Sequence, residues 1–417
     1  MRIAITGASG FLGRQLVERL QKRNVELLLV GRDPASLRVL FPDCQAISYD
    51  EIAIHAKGCD ALLHLAVVNN DSSEKPEVFH QVNCMLTTRT CMQAREAGIK
   101  RFIFTSSVRA LNFKDQSPYA ESKRFAVEEL AKIDGIDVEV LYLPAVVGDQ
   151  FAGRLANLQR LPATLQKAAL LFLQLLKPVV KVDSVTNAVI SASNRVGDQF
   201  ELRIVSDGQV ANPVFTQIKR VIDVTFALGV VFFLWWAMIL IWIAIRLDSP
   251  GPGIFRQVRT GRDGLVFTCY KFRTMQLSTP NVATHEISTS AITRLGGFLR
   301  RSKLDELPQV VNLLRNDMSL VGPRPCLPSQ EVLVEARKAR GVLGIKPGIT
   351  GFAQINGIDM SDPERLAKWD ECYLQLQTLL LDIKIILATA GGRGHQTKRE
   401  NCPFLLSDIS VNGTKAA

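Results

Sequence analysis

The sequence predicts an α/β fold that begins with a doubly wound parallel sheet. One membrane helix follows, and then a compact, mostly helical α/β domain. Three observations predict this order: a glycine-rich turn at 7–13, an uncharged apolar run at 224–245, and a C-terminal region in which arginine and lysine surround one adjacent acid pair.

The composition is that of a globular chain with an anionic partner. The 417 residues are 47% hydrophobic and 22% charged, and a chain of this length usually forms two or three domains. The net charge of +10 favours a nucleic acid, an anionic membrane or a phosphorylated substrate. The eight cysteines form no CxxC pair, so we expect reduced thiols rather than disulfides or a zinc site.

The first element is a strand, at residues 2–6, that enters the turn GASGFLG and then a helix. Gly7 permits the tight turn, Gly10 lets the backbone approach a pyrophosphate, and Gly13 allows close packing of helix on strand. The helix N-terminus favours the anion. The pattern predicts a Rossmann-like dinucleotide site.

Two further strands, at 25–30 and 61–65, have the spacing that this site requires. The second strand ends at Gly31, where an acid would accept the ribose hydroxyls of NAD. Arg32 follows, and it can pair with a 2′-phosphate, so we favour NADP(H). Asp33 keeps NAD(H) open.

A catalytic pattern follows in FIFTSS, which ends at Ser107, and YAESK, which begins at Tyr119. A helix places Lys123 one turn from Tyr119, where its charge lowers the phenol pKa and its ammonium can bind the cofactor ribose. Tyr119 can then exchange a proton with a hydroxyl or carbonyl. Ser107, with Ser106 as the alternative, supplies a second hydrogen bond to the same oxygen.

These motifs resemble the extended short-chain dehydrogenase/reductase family, the sugar-nucleotide epimerases, dehydratases and reductases, over about residues 1–210. CDALLHLAV and LYLPAVVGD match its third strand and the segment after its catalytic helix. The resemblance implies that Tyr119 is the acid/base, Lys123 its partner and Ser107 the catalytic serine. It also implies hydride transfer at C4 of a nucleotide-linked sugar.

Two departures leave an alternative open. The interval from Ser107 to Tyr119 is shorter than the extended branch usually has, and the substrate-binding portion is abbreviated. A domain that binds nucleotide without catalysis is therefore the second hypothesis.

The uncharged run at 224–245 is long enough for about 33 Å of helix, roughly one hydrocarbon thickness. Basic residues flank both of its ends, so the positive-inside rule does not choose an orientation. Trp235 and Trp236 lie in its middle rather than at an interfacial end.

The C-terminal region surrounds Asp305 and Glu306 with basic residues, among them Arg300 and Arg324. Arginine forks grip phosphate oxygens. A carboxylate among them can attack phosphorus or hold Mg²⁺, which prefers oxygen ligands and substrate phosphates. Taken alone, the pair could equally be a surface Asp-Glu among salt bridges.

The motifs KRxxD, KFRTM, LDELPQ, MSLVGPRP and KPGITGFAQING occur in this order over about 217–390. They resemble the bacterial sugar transferases, the monotopic phosphoglycosyl transferases. The resemblance implies transfer of a sugar-1-phosphate from a UDP-sugar to undecaprenyl phosphate, with release of UMP. Asp305 would be the nucleophile that carries the phosphosugar, Glu306 would assist with Mg²⁺ or proton transfer, and Arg300 and Arg324 would bind phosphate.

The family's membrane helix carries a Ser-Pro pair that breaks it into a re-entrant hairpin, and Trp235-Trp236 stands at that position here. We nevertheless favour re-entry over a spanning helix, because both catalytic regions need cytosolic nucleotide substrates.

The whole chain is interpreted as a bifunctional enzyme of bacterial surface-glycan synthesis at the cytoplasmic membrane, with both catalytic domains facing the cytoplasm. The expected partners are a UDP-sugar, undecaprenyl phosphate and membrane lipid, without nucleic acid, and a homodimer is compatible with the sequence. The first domain would reduce or epimerise at C4, the best specific candidate being 4-keto reduction to UDP-N-acetylquinovosamine or its C4 epimer. The predicted divisions are 1–212 (sugar-nucleotide domain), 213–248 (connector and membrane helix), 249–390 (transferase) and 391–417 (flexible tail).

Overall fold

The computed structural model describes residues 1–149, 160–195, 197, 200–276 and 291–392. The tail predicted to be flexible lies outside these ranges from residue 393 onward. The chain forms two compact units. Among the described residues, the first contains Met1–Leu170 and Lys177–Asp207, and the second contains Leu171–Leu176 and residues 208–392.

The first unit is built on a seven-stranded parallel sheet in the order β3-β2-β1-β4-β5-β6-β9. The order reverses between β1 and β4, and the carboxyl ends of strands at such a point open a ligand crevice. The predicted doubly wound sheet is confirmed. The strands of this unit, including the separate pair β7 and β8, are β1 (Arg2–Thr6), β2 (Glu26–Val30), β3 (Gln45–Ile47), β4 (Ala61–His64), β5 (Arg101–Ser107), β6 (Asp137–Leu143), β7 (Ala145–Val147), β8 (Val179–Lys181) and β9 (Phe200–Ile204).

Helices cover both faces of this sheet, because successive side chains of a strand point to opposite faces. Ile3 and Ile5 pack in one buried layer with α1 and α8, whereas Ala4 packs in the other with α5 and α6. The helices that belong wholly or in part to this unit are α1 (Phe11–Gln21), α2 (Pro34–Leu40), α3 (Ile52–His55), α4 (Pro76–His80), α5 (Leu86–Glu96), α6 (Pro118–Leu130), α7 (Ala163–Leu176) and α8 (Val182–Asn194).

The second unit is mostly helical, as predicted, with an antiparallel hairpin β10–β11 and a short parallel pair β12–β13. A 3-10 helix, Leu304–Gln309, connects α10 to α11. The elements are α9 (Pro213–Asp248), β10 (Ile254–Thr260), β11 (Val266–Phe272), α10 (Arg294–Ser302), α11 (Val310–Leu314), β12 (Ser319–Val321), α12 (Glu331–Ala339), β13 (Gly348–Thr350), α13 (Phe352–Ile355), α14 (Pro363–Leu376) and α15 (Leu379–Ala390).

Helix α9 is one uninterrupted helix of 36 residues, about 54 Å long at 1.5 Å per residue. Asn212 caps its start by accepting from the backbone N–H of Phe215, and Pro213 occupies the first turn. In the described part of the chain it is the one helix long and apolar enough to cross a membrane. The membrane helix predicted at 224–245 therefore continues for about three turns before that run.

Helix α9 contains no break of the kind that forms the family's re-entrant hairpin, and the preference for re-entry over a spanning helix stays a prediction. The helix continues through Trp235 and Trp236. The physical reason is local: no proline interrupts the segment, so no backbone hydrogen bond is lost there and nothing forces a kink.

Candidate active sites

In the first unit, the glycine turn lies at the carboxyl end of β1, at the reversal point of the sheet. Gly7 has a φ of +71°, and a Cβ on it would lie 2.7 Å from the backbone N of Ala66. A Cβ on Gly13 would lie 2.3 Å from the carbonyl oxygen of Gly7. Both positions therefore require glycine, and the close packing predicted for Gly13 is found. Gly10 donates its N–H to that same Gly7 carbonyl at 3.1 Å and caps α1.

A buried histidine, to which the sequence analysis assigned no role, joins this turn to helix α5. The Nδ1 of His64 lies 2.9 Å from the hydroxyl of Thr6, which also accepts from the N–H of Leu65. Its Nε2 lies 3.1 Å from the hydroxyl of Thr87. Burial lowers the pKa of His64 to about 3, so the ring is neutral. Its two nitrogens connect Thr6 of β1 with Thr87 of α5.

The second strand ends as predicted. The two charged residues that follow it, Arg32 and Asp33, differ in whether the protein itself already binds their side chains. Asp33 caps α2, accepting from the backbone N–H groups of Ala35 at 3.1 Å and Ser36 at 3.2 Å. The hydroxyl of Ser36 holds the pKa of this carboxylate below its usual value. Arg32 is exposed. The Asp33 carboxylate is thus engaged in capping α2, whereas the Arg32 guanidinium is open to a ligand.

Ser107 and Tyr119 come together at the carboxyl end of β5. Burial raises the pKa of Tyr119, and a hydrogen bond with the Ser107 side chain opposes that rise. Ser107 also accepts the backbone N–H of Arg109 at 3.3 Å. The predicted Ser–Tyr pair therefore exists, placed by the end of β5 and the first turn of α6.

Lys123 lies on the same helix, one turn after Tyr119, and its ammonium is held by the strand β5. Its Nζ donates to the carbonyl oxygen of Thr105 at 2.9 Å and lies 4.5 Å from the ring centre of Phe104. Burial lowers the pKa of Lys123 to about 7. The cation that lowers the Tyr119 pKa in this structure is Arg109, which is bound to Asp115 at 2.8 Å. Arg109 was not singled out from the sequence, where it belongs to no motif.

In the second unit, the 3-10 helix presents the acid pair next to the hairpin strand β11. The Nζ of Lys271 lies 2.9 Å from Oε1 of Glu306. Asn312 fixes this arrangement, because its buried side chain accepts the N–H of Tyr270 at 3.2 Å and donates to the carbonyl of Thr268 at 2.7 Å. Helix α11 is thereby joined to the strand that carries the lysine.

The pKa values of the two adjacent carboxyls are shifted in opposite directions. Burial and the charge of Glu306 raise the pKa of Asp305. Burial also acts on Glu306, but Lys271, Arg324 and Lys303 outweigh it and hold its pKa below the usual value. Environments that separate two neighbouring carboxyls in this way are typical of acid, base and nucleophile assignments.

Arginines approach the pair from two segments, helix α10 and the loop after β12. Nε of Arg300 donates to the hydroxyl of Thr274 at 2.9 Å, and burial lowers its pKa while Asp305 raises it. A buried arginine holds the loop of Arg324. Arg337, paired with Asp370 at 2.7 Å, donates to the backbone carbonyl of Arg324 at 2.9 Å. The predicted residues Arg300, Arg324, Asp305 and Glu306 are thus gathered in one place.

A small, open cleft lies beside this cluster. Its lining includes Lys271, Glu306, Arg324 and Arg259, whereas Asp305 is not part of it. Lys271 and Arg259 had no assigned role in the sequence analysis. Lys271 belongs to the KFRTM motif and could have been suspected there, but Arg259 lies in a strand without any such signal.

The oxygen donors fit magnesium only in part. Asp305 and Glu306 are two carboxyls, and the described residues contain no group of three His, Cys, Asp or Glu side chains able to hold a metal. Magnesium often binds through one or two carboxylates and substrate phosphates, so this set is compatible with an ion that arrives with a diphosphate. The seven described cysteines are free.

Comparison with known proteins agrees with this division into two units. Residues 214–393 match the family described as bacterial sugar transferases, and residues 3–170 match the NAD-dependent epimerase/dehydratase family. The Bacillus subtilis protein named uncharacterized sugar transferase EpsL is 39% identical over 178 residues, which are 41% of this chain and 85% of that protein.

Two further similarities cover parts of the chain. The UDP-glucose:undecaprenyl-phosphate glucose-1-phosphate transferase of Xanthomonas campestris is 36% identical over 211 residues, which are 48% of this chain and 43% of that protein. This chain therefore spans less than half of that relative's length. The UDP-glucose 4-epimerase of Thermotoga maritima, solved with UDP-glucose, has a TM-score of 0.39 and 18% identity over 49% of this chain and 77% of its own. Residues 3–170 resemble the NAD-dependent epimerase/dehydratase family, whose model they match, and through residues 214–393 the chain belongs to the bacterial sugar transferase family.

Proposed function

We propose that the second unit transfers a sugar-1-phosphate from a UDP-sugar to undecaprenyl phosphate at the cytoplasmic membrane. The observation that carries this proposal is the acid pair held between Lys271, Arg300 and Arg324. A diphosphate substrate brings negative charge that such a cluster neutralises. The printed names of several relatives describe this reaction for those proteins.

The reaction proceeds by two displacements at the phosphorus that carries the sugar. An oxygen of Asp305 bonds to this phosphorus while its bond to the oxygen of UMP breaks, and UMP leaves. An oxygen of undecaprenyl phosphate then bonds to the same phosphorus, and the bond to Asp305 breaks, which restores the carboxylate. Arg300 and Arg324 hold the phosphoryl oxygens in both steps, because guanidinium forks match their geometry.

Glu306 has a different role from Asp305. Paired with Lys271, it stays ionised, and it faces the cleft. Asp305 and Glu306 are the residues that would hold Mg²⁺, which would neutralise diphosphate charge. Glu306 also keeps Lys271 in place beside the leaving phosphate.

The experiment that tests this function locates the covalent intermediate. Purified protein is incubated with a UDP-sugar without lipid acceptor, and the peptide of residues 304–309 is examined by mass spectrometry. We expect a phosphosugar on Asp305 that disappears on addition of undecaprenyl phosphate. A phosphosugar on Glu306, the carboxyl that lines the cleft, would overturn the assignment, and UMP release without any adduct would overturn the two-step route.

We further propose that the first unit reduces a 4-keto UDP-sugar at C4. The proximity of the Ser107 and Tyr119 side chains, at the same sheet edge as the Gly7 turn, supports this proposal. Tyr119 gives its proton to the C4 oxygen and Ser107 positions that oxygen. A reduced nicotinamide, when bound, supplies the hydride, and Gly7, Gly10, Gly13 and Arg32 would hold that cofactor.

The best candidate substrate is UDP-2-acetamido-2,6-dideoxy-4-hexulose, whose reduction gives UDP-N-acetylquinovosamine or its C4 epimer. Arg32 is exposed, whereas Asp33 is engaged in capping α2, and this difference supports NADPH as the reductant. The alternative is a domain that binds nucleotide without chemistry. Loss of reduced-nicotinamide absorbance upon mixing, abolished in Tyr119→Phe, separates the two: no loss in the unaltered protein leaves only the alternative.

A further inference from the structure

Arg259 lines the cleft beside the acid pair, and its hydrogen bonds go to neutral oxygens. Its Nη1 donates to the backbone carbonyl of Pro325 at 3.0 Å, and its Nη2 donates to Oε1 of Gln257. In the part of the chain that the structure describes, no carboxylate forms an ion pair with it. A guanidinium has five N–H donors, so about three of them remain for a ligand.

The surroundings of Arg259 make its positive charge costly. Burial lowers the pKa of Arg259, and the charge of Arg324 acts in the same direction. A charge that is taken out of water destabilises the fold unless an opposite charge or hydrogen bonds compensate it. We therefore expect an anion beside this guanidinium when the enzyme is at work.

The whole cleft has an excess of positive charge. Its charged lining residues are Arg259, Lys271, Arg324 and Glu306. Glu306 is already paired with Lys271 at 2.9 Å, so neither arginine has a carboxylate of its own in this lining. Two guanidinium groups that border one opening are typical of phosphate recognition. The cleft is thus suited to a phosphate.

The position of Asp305 indicates which phosphate this is, and the step rests on the proposed function. Neither Asp305 nor Arg300, on which it acts, belongs to the lining. In a displacement at phosphorus, the attacking and leaving oxygens lie roughly in line on opposite sides. The charge of Arg324 reaches both Arg300 and Arg259. The transferred phosphoryl group therefore belongs beside Arg300 and Arg324, and the leaving phosphate belongs beside Arg324 and Arg259.

We propose that this cleft binds the phosphate of the departing nucleotide and that Arg259 is the residue that neutralises it. As Asp305 bonds to the phosphorus that carries the sugar, the bond from that phosphorus to the UMP oxygen breaks, and its electron pair goes to the UMP oxygen. Negative charge grows on this oxygen. Arg259 stabilises the charge and keeps its proton, because arginine stays protonated in proteins.

A purely structural role for Arg259 predicts a different outcome. Its bond to the Pro325 carbonyl also supports the loop of Arg324, and Arg324 acts in both displacements. Loss of that support would slow both of them. UMP takes part only in the first displacement, so the loss of a contact to UMP slows the first displacement alone.

The test measures the two half-reactions separately in detergent-solubilised, full-length protein. The first is the exchange of labelled UMP into the UDP-sugar without lipid acceptor. The second is the decay of the preformed Asp305 adduct after undecaprenyl phosphate is added. We expect Arg259→Gln to slow the exchange about 10²-fold or more, the usual cost of losing one donor to a developing oxyanion, and to leave the decay unchanged. Equal slowing of both half-reactions, or an unchanged exchange, would overturn the proposal.

Two further variants separate the charge of Arg259 from general attraction. Arg259→Lys keeps the charge and should retain more exchange than Arg259→Gln, and equal exchange in these two variants would contradict neutralisation by Arg259. Arg262→Gln, at an exposed arginine just after the same strand, is the matched control and should change neither half-reaction. A loss of exchange there as large as in Arg259→Gln would mean that any nearby charge serves, and would overturn the assignment.

Direct binding of UMP distinguishes failure of this inference from failure of the proposed function. UMP is titrated calorimetrically into the unaltered protein and into Arg259→Gln. We expect the Kd to rise about tenfold or more, as for the loss of a charge-assisted hydrogen bond. This rise without any Asp305 adduct would remove the two-step transfer and leave the nucleotide site. An adduct together with UMP affinity that does not depend on Arg259 would remove the nucleotide site alone.

Discussion

Lys271 Nζ lies 2.9 Å from Oε1 of Glu306, and this contact distinguishes two carboxyls that are adjacent in sequence. The lysine keeps Glu306 ionised in spite of burial. Glu306 in turn contributes the charge that, after burial, raises the pKa of Asp305. One ion pair thus sets the protonation of both members of the dyad.

The pH dependence of UMP release follows from this pair. Asp305 must lose its proton to attack, and its folded-state pKa lies above the ordinary 3.8. Activity should therefore fall with decreasing pH at a value above that of a free aspartate. Lys271→Met should move this acid limb to higher pH, because Lys271 lowers the pKa of both carboxyls. Lys271→Arg, which keeps the charge, should leave the limb nearly unchanged. A limb that stays in place in Lys271→Met contradicts the pairing.

Removal of the Asp305 nucleophile should reduce transferase activity more than removal of the phosphate-binding Arg324. We expect Asp305→Asn to abolish the phosphosugar adduct and Arg324→Ala to lower kcat by about 10²- to 10³-fold, the usual cost of one oxyanion donor. Arg262→Ala, at an exposed arginine of the β10–β11 connection, is the control and should be neutral. Equal losses in both arginine variants would show general charge attraction instead of a phosphate contact.

The choice of cofactor should depend on Arg32. Arg32→Ala should weaken NADPH binding about tenfold or more, as expected for the loss of a charged hydrogen bond to phosphate, and leave NADH binding unchanged. Titration of intrinsic fluorescence measures both. Arg89→Ala, which removes an exposed arginine bound to Asp50, should change neither. Equal weakening of both cofactors by Arg32→Ala would remove the assigned 2′-phosphate contact.

Lys123 should make the first unit more stable at alkaline pH. Its folded pKa of about 7 lies below the ordinary lysine value of 10.5, so between these values the unfolded chain binds a proton that the folded chain does not. Stability therefore rises with pH across this window, by at most about 1.4 kcal/mol per pH unit. Hydrogen exchange of α6 at pH 7 and pH 9, without cofactor, measures it.

Lys123→Met should remove this slope, and Lys132→Met, at an exposed lysine just after α6, should retain it. A slope that persists in Lys123→Met would mean that another group causes it.

The features that could be predicted from the sequence are those that depend on residues close together in the chain. Gly7 and Gly13 sit in a turn whose backbone geometry depends on a few consecutive residues, and the structure shows both need glycine. The apolar composition of 224–245 was enough to identify a long exposed helix. The grouping of Arg300, Arg324 and the acid pair came from motifs whose order reflects one family.

The roles of side chains whose partners are brought together only by tertiary packing could not be predicted from the sequence. Lys271 meets Glu306 only because Asn312 joins α11 to β11, a contact across 42 and more residues. Lys123 has the right spacing from Tyr119, but burial and the Thr105 carbonyl decide where its ammonium lies. The packing of α9 within its own unit depends on Arg273 and Asp223, whose partners are distant in sequence.

Because both proposed activities act on a UDP-sugar, we expect the product of the first unit to be the donor for the second, and one reaction tests this coupling most directly. Unaltered protein in proteoliposomes is given UDP-2-acetamido-2,6-dideoxy-4-hexulose, NADPH and undecaprenyl phosphate, and the lipid product is analysed by mass spectrometry. We predict a lipid diphosphate carrying the reduced sugar, and none of it in Tyr119→Phe. A lipid product that carries the unreduced 4-keto sugar, or the same reduced product in Tyr119→Phe, would contradict the account.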